Sequence, residues 1–256
     1  MTLELHDLYI GYAEDAGRHI VAEALSASLP KGTMACLVGV NGVGKSTLMR
    51  TLSGFQPALR GEVLVDGKRL EEYNPRELSE RVGVVLTERE SVPDLTVEEV
   101  VAIGRMPYTN FWGKLRAADR KAVDEAIALV GIEHLRHKKI GRGSDGERQK
   151  AMIAKALAQQ TGIILLDEPT AFLDYGSKVS VMRLLRQLAH EQGKAILLST
   201  HDLEIAFQTA DEVWMLQRNG LQTGSLDALE QQGTVSAFLA QSGLRYEAKN
   251  RRIVLV

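Results

Sequence analysis

Met34-Ala-Cys-Leu-Val38 runs directly into Gly39-Val-Asn-Gly-Val-Gly44-Lys45-Ser46, and the two halves make sense only together. The first is a short apolar run of the kind that forms a buried strand. The second satisfies the spacing G-x-x-x-x-G-K-[ST], and a helix is expected from Lys45 to about Ser53. Glycines at 39, 42 and 44 let the backbone curl with no side chains in the way, so that several N–H groups point inward. The N-terminus of the following helix adds a positive dipole end. Such a cradle suits the phosphates of a nucleotide. Gly39, Asn41, Gly42, Gly44, Lys45, Ser46 and Thr47 are the candidate nucleotide-binding residues. Lys45 would neutralise the outer phosphates, and the Ser46 hydroxyl would ligate Mg²⁺.

A second stretch completes that chemistry. Ile163-Ile-Leu-Leu166 reads as a buried strand, and Asp167-Glu168 stand at its C-terminal end. Ligands of parallel sheets bind at that end. Asp167 is placed to hold Mg²⁺, directly or through water. Glu168 is placed to polarise an attacking water.

Around these landmarks the chain alternates strands and helices. The N-terminal third reads as strands, with Leu3, Leu5 and Leu8 opening one and Ile20–Leu29 forming another. Gly61–Val65 and Val82–Leu86 are further strands. From about Thr96 to Gln159 the apolar spacing turns helical, as at Val123, Ile127 and Val130. A helix over Val179–Leu188 separates Ile163–Leu166 from a strand at Ala195–Ser199, and Val213–Leu216 is a further strand. Alternation of this kind implies a parallel sheet covered by helices on both faces. The helical middle, roughly residues 88–160, reads as an insertion into a single domain spanning 1–256. Arg252–Val256 ends the chain as a short strand.

Composition narrows the classes. The chain has 256 residues, a formal net charge of −2 and 45% apolar residues, an ordinary globular balance. The near-zero charge argues against bulk electrostatic attachment to nucleic acid. No apolar run approaches the ~18 residues of a membrane-spanning helix. Acids stand in MTLELHDLYIGY where a secretory signal would be basic and then apolar. Cys36 is the single cysteine, so no internal disulfide forms, and its neighbours mark it as a small buried hydrophobe. A cytoplasmic protein is expected.

Three further elements, taken with the phosphate loop and the acidic strand, resemble the ATP-binding subunit of ABC transporters. Gly143-Ser144-Asp145-Gly146-Glu147-Arg148-Gln149 is similar to that family's signature, Leu-Ser-Gly-Gly-Gln/Glu-x-Gln. Pro169-Thr-Ala-Phe-Leu-Asp174 resembles its dimer-interface loop, and Ser199-Thr-His201-Asp202 its switch histidine. The resemblance covers nearly the whole chain. It implies a P-loop NTPase core with a mostly parallel sheet, an N-terminal antiparallel β subdomain and a helical insert. It also implies a head-to-tail dimer of two copies closed around two ATP molecules. Ser144 and Gly146 of one copy would meet the γ-phosphate held by the other, and Asp174 would lie at the interface. His201 would join Glu168 to the reacting phosphate, and Tyr12 would stack on adenine. Closure driven by ATP and released by its loss explains how hydrolysis does work.

Two positions depart from the pattern. Asp145 replaces a glycine of the signature, where its charge is unfavourable beside a γ-phosphate. Its side chain either points away or caps the helix beginning near Gly146, and capping is the expectation. After Val82–Leu86 the family has a Gln near Mg²⁺. Here Thr87 takes that place, with Glu88 beside it. Thr87 is too short to reach, and Glu88 reaches but is an acceptor only when ionised.

The insert resembles one branch of the family. Leu95-Thr-Val-Glu-Glu-Val-Val-Ala-Ile-Gly104-Arg105-Met-Pro107-Tyr108, continuing to Phe111-Trp112-Gly113, is similar to importers of iron-siderophores, haem and cobalamin. Tyr108, Phe111 and Trp112 either form an exposed contact patch for membrane permease subunits or pack the insert's own core. The resemblance implies a peripheral ATPase at the cytoplasmic face of the inner membrane. A soluble ATPase without a transport role, such as an iron–sulfur assembly component, is the alternative. His134 and His137 lack partners that would complete a metal site. Arg136-His-Lys-Lys139 with Arg142 is expected to be a solvated turn.

Overall fold

The computed structural model describes residues 2–14, 17–86, 94–110, 112–240, 243–248 and 252–255. The chain opens with β1 (Leu3–Glu14), β2 (Gly17–Leu29) and β3 (Met34–Val38), followed by α1 (Lys45–Leu52), β4 (Arg60–Val65), β5 (Lys68–Arg69), α2 (Pro75–Ser79) and β6 (Val82–Val85). Helices α3 (Val97–Ile103), α4 (Ala117–Val130) and α5 (Asp145–Ala158) come next. Then follow β7 (Ile163–Leu166), α6 (Tyr175–Gln192), β8 (Ala195–Ser199), α7 (Leu203–Thr209), β9 (Glu212–Gln217) and β10 (Gly220–Gly224). Helices α8 (Leu226–Gln231) and α9 (Thr234–Ala240) lead to the antiparallel pair β11 (Leu244–Glu247) and β12 (Arg252–Leu255).

The main sheet has the order β10-β9-β3-β8-β7-β6, parallel except for β10 at one edge. An antiparallel sheet, β2-β1-β4-β5, lies against it, with the Glu23 amide bonded to the Arg218 carbonyl at 3.0 Å. This is the expected mixture of parallel core, N-terminal antiparallel sheet and helical segment between β6 and β7. Period-two alternation explains how one sheet serves two cores. Met34, Cys36 and Val38 of β3 point to one face with Ile164, Leu166, Ile196 and Leu198, against α3 to α6. Ala35 and Leu37 point to the other with Ile163, Leu165 and Leu197, against α1 and β1. Cys36 is fully buried, and burial, reinforced by Asp211, pushes its thiol far above the ordinary range. It is a core residue, as its neighbours suggested.

Several elements extend past their sequence signals. Strand β2 begins at Gly17 rather than Ile20, because its first residues are exposed and carry no apolar alternation. Helix α6 starts at Tyr175, where Asp174 accepts from the Ser177 amide at 3.0 Å, and stops at Gly193 in a left-handed conformation. Strands β5, β10 and β11 and helices α7, α8 and α9 were not legible. Gly-Leu-Gln-Thr-Gly of β10 has little strand preference and pairs only because β9 offers an edge.

The helical segment is tied internally. Gly104 closes α3 against α5 so tightly that a Cβ there would sit 2.1 Å from the Lys155 carbonyl oxygen. Buried Arg105 then donates Nε to Asp119 Oδ1 at 3.0 Å and Nη1 to the Ala158 carbonyl at 2.7 Å and Gln160 Oε1 at 3.0 Å. Its guanidinium lies 4.0 Å from the centre of the Tyr108 ring.

Carboxylates start the same helices. Thr96 and Glu99 form a reciprocal cap on α3, and Ser144 and Glu147 one on α5. The Thr96 amide holds the Glu99 carboxyl below its usual range, Lys138 does the same for Glu147, and the Arg116 amide for Asp119. A folded pKa below the unfolded one contributes stability that is complete above the unfolded values near about 4 and is lost as pH falls through the folded ones. The urea midpoint should therefore hold steady down to about pH 5 and fall steeply below about pH 4. A midpoint unchanged through that lower window would contradict these assignments.

Candidate functional site

Registers in the main sheet bring three loops to one edge. Leu37 of β3 pairs with Ser199 of β8, Leu198 of β8 with Leu166 of β7, and Leu166 with Val85 of β6. The glycine loop after β3, Asp167-Glu168 after β7 and His201 after β8 therefore share the C-terminal edge. Two loop glycines are in conformations that other residues resist, Gly42 at φ 77° and Gly44 at φ 111°. A Cβ at Gly44 would also lie 2.5 Å from Val21 Cγ1. Lys45 is buried at 8% exposure and folds back over the loop, donating from Nζ to the Gly39 carbonyl at 2.9 Å. Burial lowers its pKa, while Glu168 and Asp167 pull it back up, so the three groups act on one another. Asn41, Gly42 and Ser46 are exposed to an incoming ligand. Buried Thr47 stands below them, and the Tyr12 hydroxyl lies 3.1 Å from its Oγ1 with the Tyr12 ring half-exposed.

The acidic pair is held by β8. His201 Nδ1 lies 2.7 Å from Glu168 Oε2. Ser199 is fully buried, donating its hydroxyl to Asp167 Oδ1 at 2.5 Å and accepting from the Glu168 amide at 2.9 Å. Glu168 itself takes a left-handed φ of 48°, uncommon for a side-chain-bearing residue. The Thr200 amide donates to the Leu37 carbonyl at 3.1 Å, fastening the histidine loop to the phosphate-loop strand. The sequence drew attention to His201 but not to Ser199. The only local signal was a hydroxyl placed where the apolar run of β8 ends.

The signature and interface-loop residues form a second group. Ser144 Oγ accepts from the Glu147 amide at 3.2 Å and is the cap of α5. That overturns the expectation for Asp145, which lies in the first turn and pairs with Arg148. Asp145 cannot cap because the residue before it already occupies the cap position, and Arg148 neutralises its charge one turn on. A Cβ at Gly146 would sit 3.4 Å from Ser177 Oγ, which itself bonds Asp174 Oδ2 at 2.7 Å. Ser144, Gly146 and Asp174 are thus neighbours through the paired starts of α5 and α6.

Other residues sort differently. Thr87, Glu88 and Phe111 lie outside the described residues. Tyr108 packs inward, donating its hydroxyl to the Gln159 carbonyl at 2.9 Å, so it does not belong to an exposed patch. Trp112 is 84% exposed, and Met106, six positions earlier, is exposed too. The basic run is a turn with His137 and Arg142 exposed, as expected, but Arg136 and Lys138 within it are also paired. Arg136 meets Glu98 and Asp124, and Lys138 reaches Glu147 at 2.7 Å, bracing the cap of α5. Among the described residues no three His, Cys, Asp or Glu side chains gather as a metal cluster. The candidate donors at the edge are the Ser46 hydroxyl and the Asp167 carboxylate, two hard oxygens. Mg²⁺ suits that set, since it completes its shell with phosphate and water rather than a protein cage.

A glycine cradle over a buried lysine, with an Asp-Glu pair and a histidine on neighbouring strands, defines the class of P-loop nucleoside triphosphatases. Comparison with known proteins takes this further. Residues 22–171 match the family model described as ABC transporter. The ferric enterobactin transport ATP-binding protein FepC of Escherichia coli is 38% identical over 82% of this chain and 76% of its own length. The iron(3+)-hydroxamate import ATP-binding protein FhuC of Bacillus subtilis is 36% identical over 80% of this chain and 75% of its own. A dimeric ATP-binding cassette solved in a post-hydrolysis state with ADP and Pi superposes at a TM-score of 0.74 and 25% identity, over 88% of this chain and 98% of that one. The chain belongs to the ABC transporter family, as an ATP-hydrolysing cassette.

Proposed function

We propose that this chain is the energy-coupling ATPase subunit of an importer for an iron–siderophore or related chelate, one ATPase domain over residues 1–256. Its likeness to FepC and FhuC supports the cargo class. The observation that carries the catalytic reading is the 2.7 Å contact between Glu168 and His201 beside the phosphate loop. Gly39, Asn41, Gly42 and Gly44 shape the cradle, and the backbone N–H groups from the loop to Thr47 face the phosphates. Lys45 trades its carbonyl partners for β- and γ-oxygens. A bound Mg²⁺, held by Ser46 and Asp167, would offset phosphate charge. Glu168 accepts the proton of the attacking water as its oxygen bonds to the γ-phosphorus and the bond to the bridging oxygen of ADP breaks. His201 orients Glu168 and reaches the γ-phosphate. Tyr12 supplies a face for adenine.

A second copy completes the site in this reading, bringing Ser144, Gly146 and Asp174 to the opposite nucleotide, with the positive end of α5 aimed at the γ-phosphate. Among the described residues no helix is long and apolar enough to cross a membrane. In this reading membrane permease subunits supply the pathway. Exposed Trp112 is a candidate anchor on that partner, at the cytoplasmic face. Purification of the tagged protein from native membranes in mild detergent should recover a polytopic membrane protein at matching stoichiometry. Recovery only from the soluble fraction, alone or with scaffold proteins, would replace this reading with a soluble ATPase such as an iron–sulfur assembly component.

A further inference from the structure

We infer that Ser199 is a positioning residue for hydrolysis, setting Asp167 and Glu168 through its single hydroxyl. The inference rests on the reading of Asp167 as a Mg²⁺ ligand and Glu168 as the group that takes the water's proton. Ser199 ends β8 with no exposure, directly beside the end of β7. Its hydroxyl is used in both senses. The proton goes to Asp167 Oδ1 at 2.5 Å, and a lone pair receives the Glu168 amide at 2.9 Å. The first bond fixes the rotamer of a buried carboxylate. The second braces a backbone at φ 48°, a conformation that persists only where surrounding contacts impose it.

The Glu168 side chain closes the loop. Its Oε2 meets His201 Nδ1 at 2.7 Å, two residues beyond Ser199 on the same segment. Glu168 is thereby held at both ends, at its amide by Ser199 and at its carboxylate by His201. The Thr200 amide between them is anchored to Leu37 of β3. A shift of the Ser199 hydroxyl would therefore move the metal-holding oxygen and the water-polarising carboxylate together. This coupling separates Ser199 from an ordinary buried serine, whose bonds would satisfy it without joining two reacting groups.

Outer-shell partners of metal ligands are typically worth about ten- to a hundred-fold in metal affinity or activity. The test is Ser199→Ala, with Ser199→Thr as the variant that keeps the hydroxyl. ATP binding is measured in EDTA and again across a Mg²⁺ titration, beside turnover and the melting temperature. The expected result is ATP affinity in EDTA within about twofold of wild type, a Mg²⁺ midpoint raised about tenfold or more, and turnover lowered to match. Ser199→Thr should recover most of the Mg²⁺ dependence. A Ser199→Ala protein with the wild-type Mg²⁺ midpoint would overturn the inference. So would one that fails to fold or loses ATP in EDTA to the same degree, because Ser199 would then be structural. A Glu168→Gln protein with wild-type turnover would instead remove the underlying reading, so the two failures are distinguishable.

Discussion

Glu168→Gln is expected to bind ATP as wild type does and to turn it over about 10²- to 10⁴-fold more slowly, the usual worth of a positioned general base. The substitution keeps the size of the side chain and leaves an amide that still reaches His201 across the present 2.7 Å contact. What it removes is the ability to take a proton. The phosphate cradle is untouched, because the glycines, Lys45 and the start of α1 do not depend on Glu168 for their geometry. The charge change removes one of the two carboxylates that favour the charged form of Lys45, and Asp167, the other, stays in place. Phosphate release under single-turnover conditions, measured beside nucleotide affinity, separates binding from chemistry. Lys45→Ala serves as the contrast, losing affinity for ATP itself. Wild-type phosphate release from Glu168→Gln would eliminate Glu168 as the base.

Arg105→Ala is expected to be the most destabilising single change in the helical segment, at about 3–5 kcal/mol, the cost of breaking a buried pair from one side. Arg105 and Asp119 have side chains only 6% and 5% exposed. Removing the guanidinium leaves the buried Asp119 carboxylate with the Arg116 amide but no counter-cation, and the Ala158 carbonyl and Gln160 without this donor. It also opens a space over Tyr108. For a chain of this size such a loss lowers the melting temperature by about 10 °C. Arg105→Lys should recover little, since one ammonium cannot reproduce a planar fork with donors in three directions. A melting temperature within about 2 °C of wild type for Arg105→Ala would show that the pair contributes nothing net, a known outcome for some buried ions.

Gly104 and Arg105 also show how a motif that marks a branch of the family can serve the interior of its own segment. The stretch Gly104-Arg105-Met-Pro107-Tyr108 pointed to the importer branch, which relatives such as FepC support. Its physical use is mostly internal. Glycine permits the close approach of α3 and α5, arginine ties three helices, and Tyr108 bonds the end of α5. Met106 and, further on, Trp112 are the large apolar residues described there that stay at the surface.

The sequence by itself determined the six-residue spacing of the phosphate loop, the buried strands Met34–Val38, Ile163–Leu166 and Ala195–Ser199, the acids that follow β7 and the histidine that follows β8. All of these are local. A positive φ demands glycine, an apolar run demands burial, and a strand end exposes what comes next. Tertiary structure alone decided which groups finish the site and which tie the helical segment together. Ser199 meets Asp167 from 32 positions away, Arg105 meets the Ala158 carbonyl from 53, and Lys138 braces the cap at Glu147 from a separate turn. Asp145 looked like a cap until Ser144 was found in that place, a difference of one residue in helix phase. Such pairings leave no periodic trace, because each partner satisfies its own local pattern equally well with or without the other. They are selected by sheet order, which puts β8 between β3 and β7 and brings three loops to one edge.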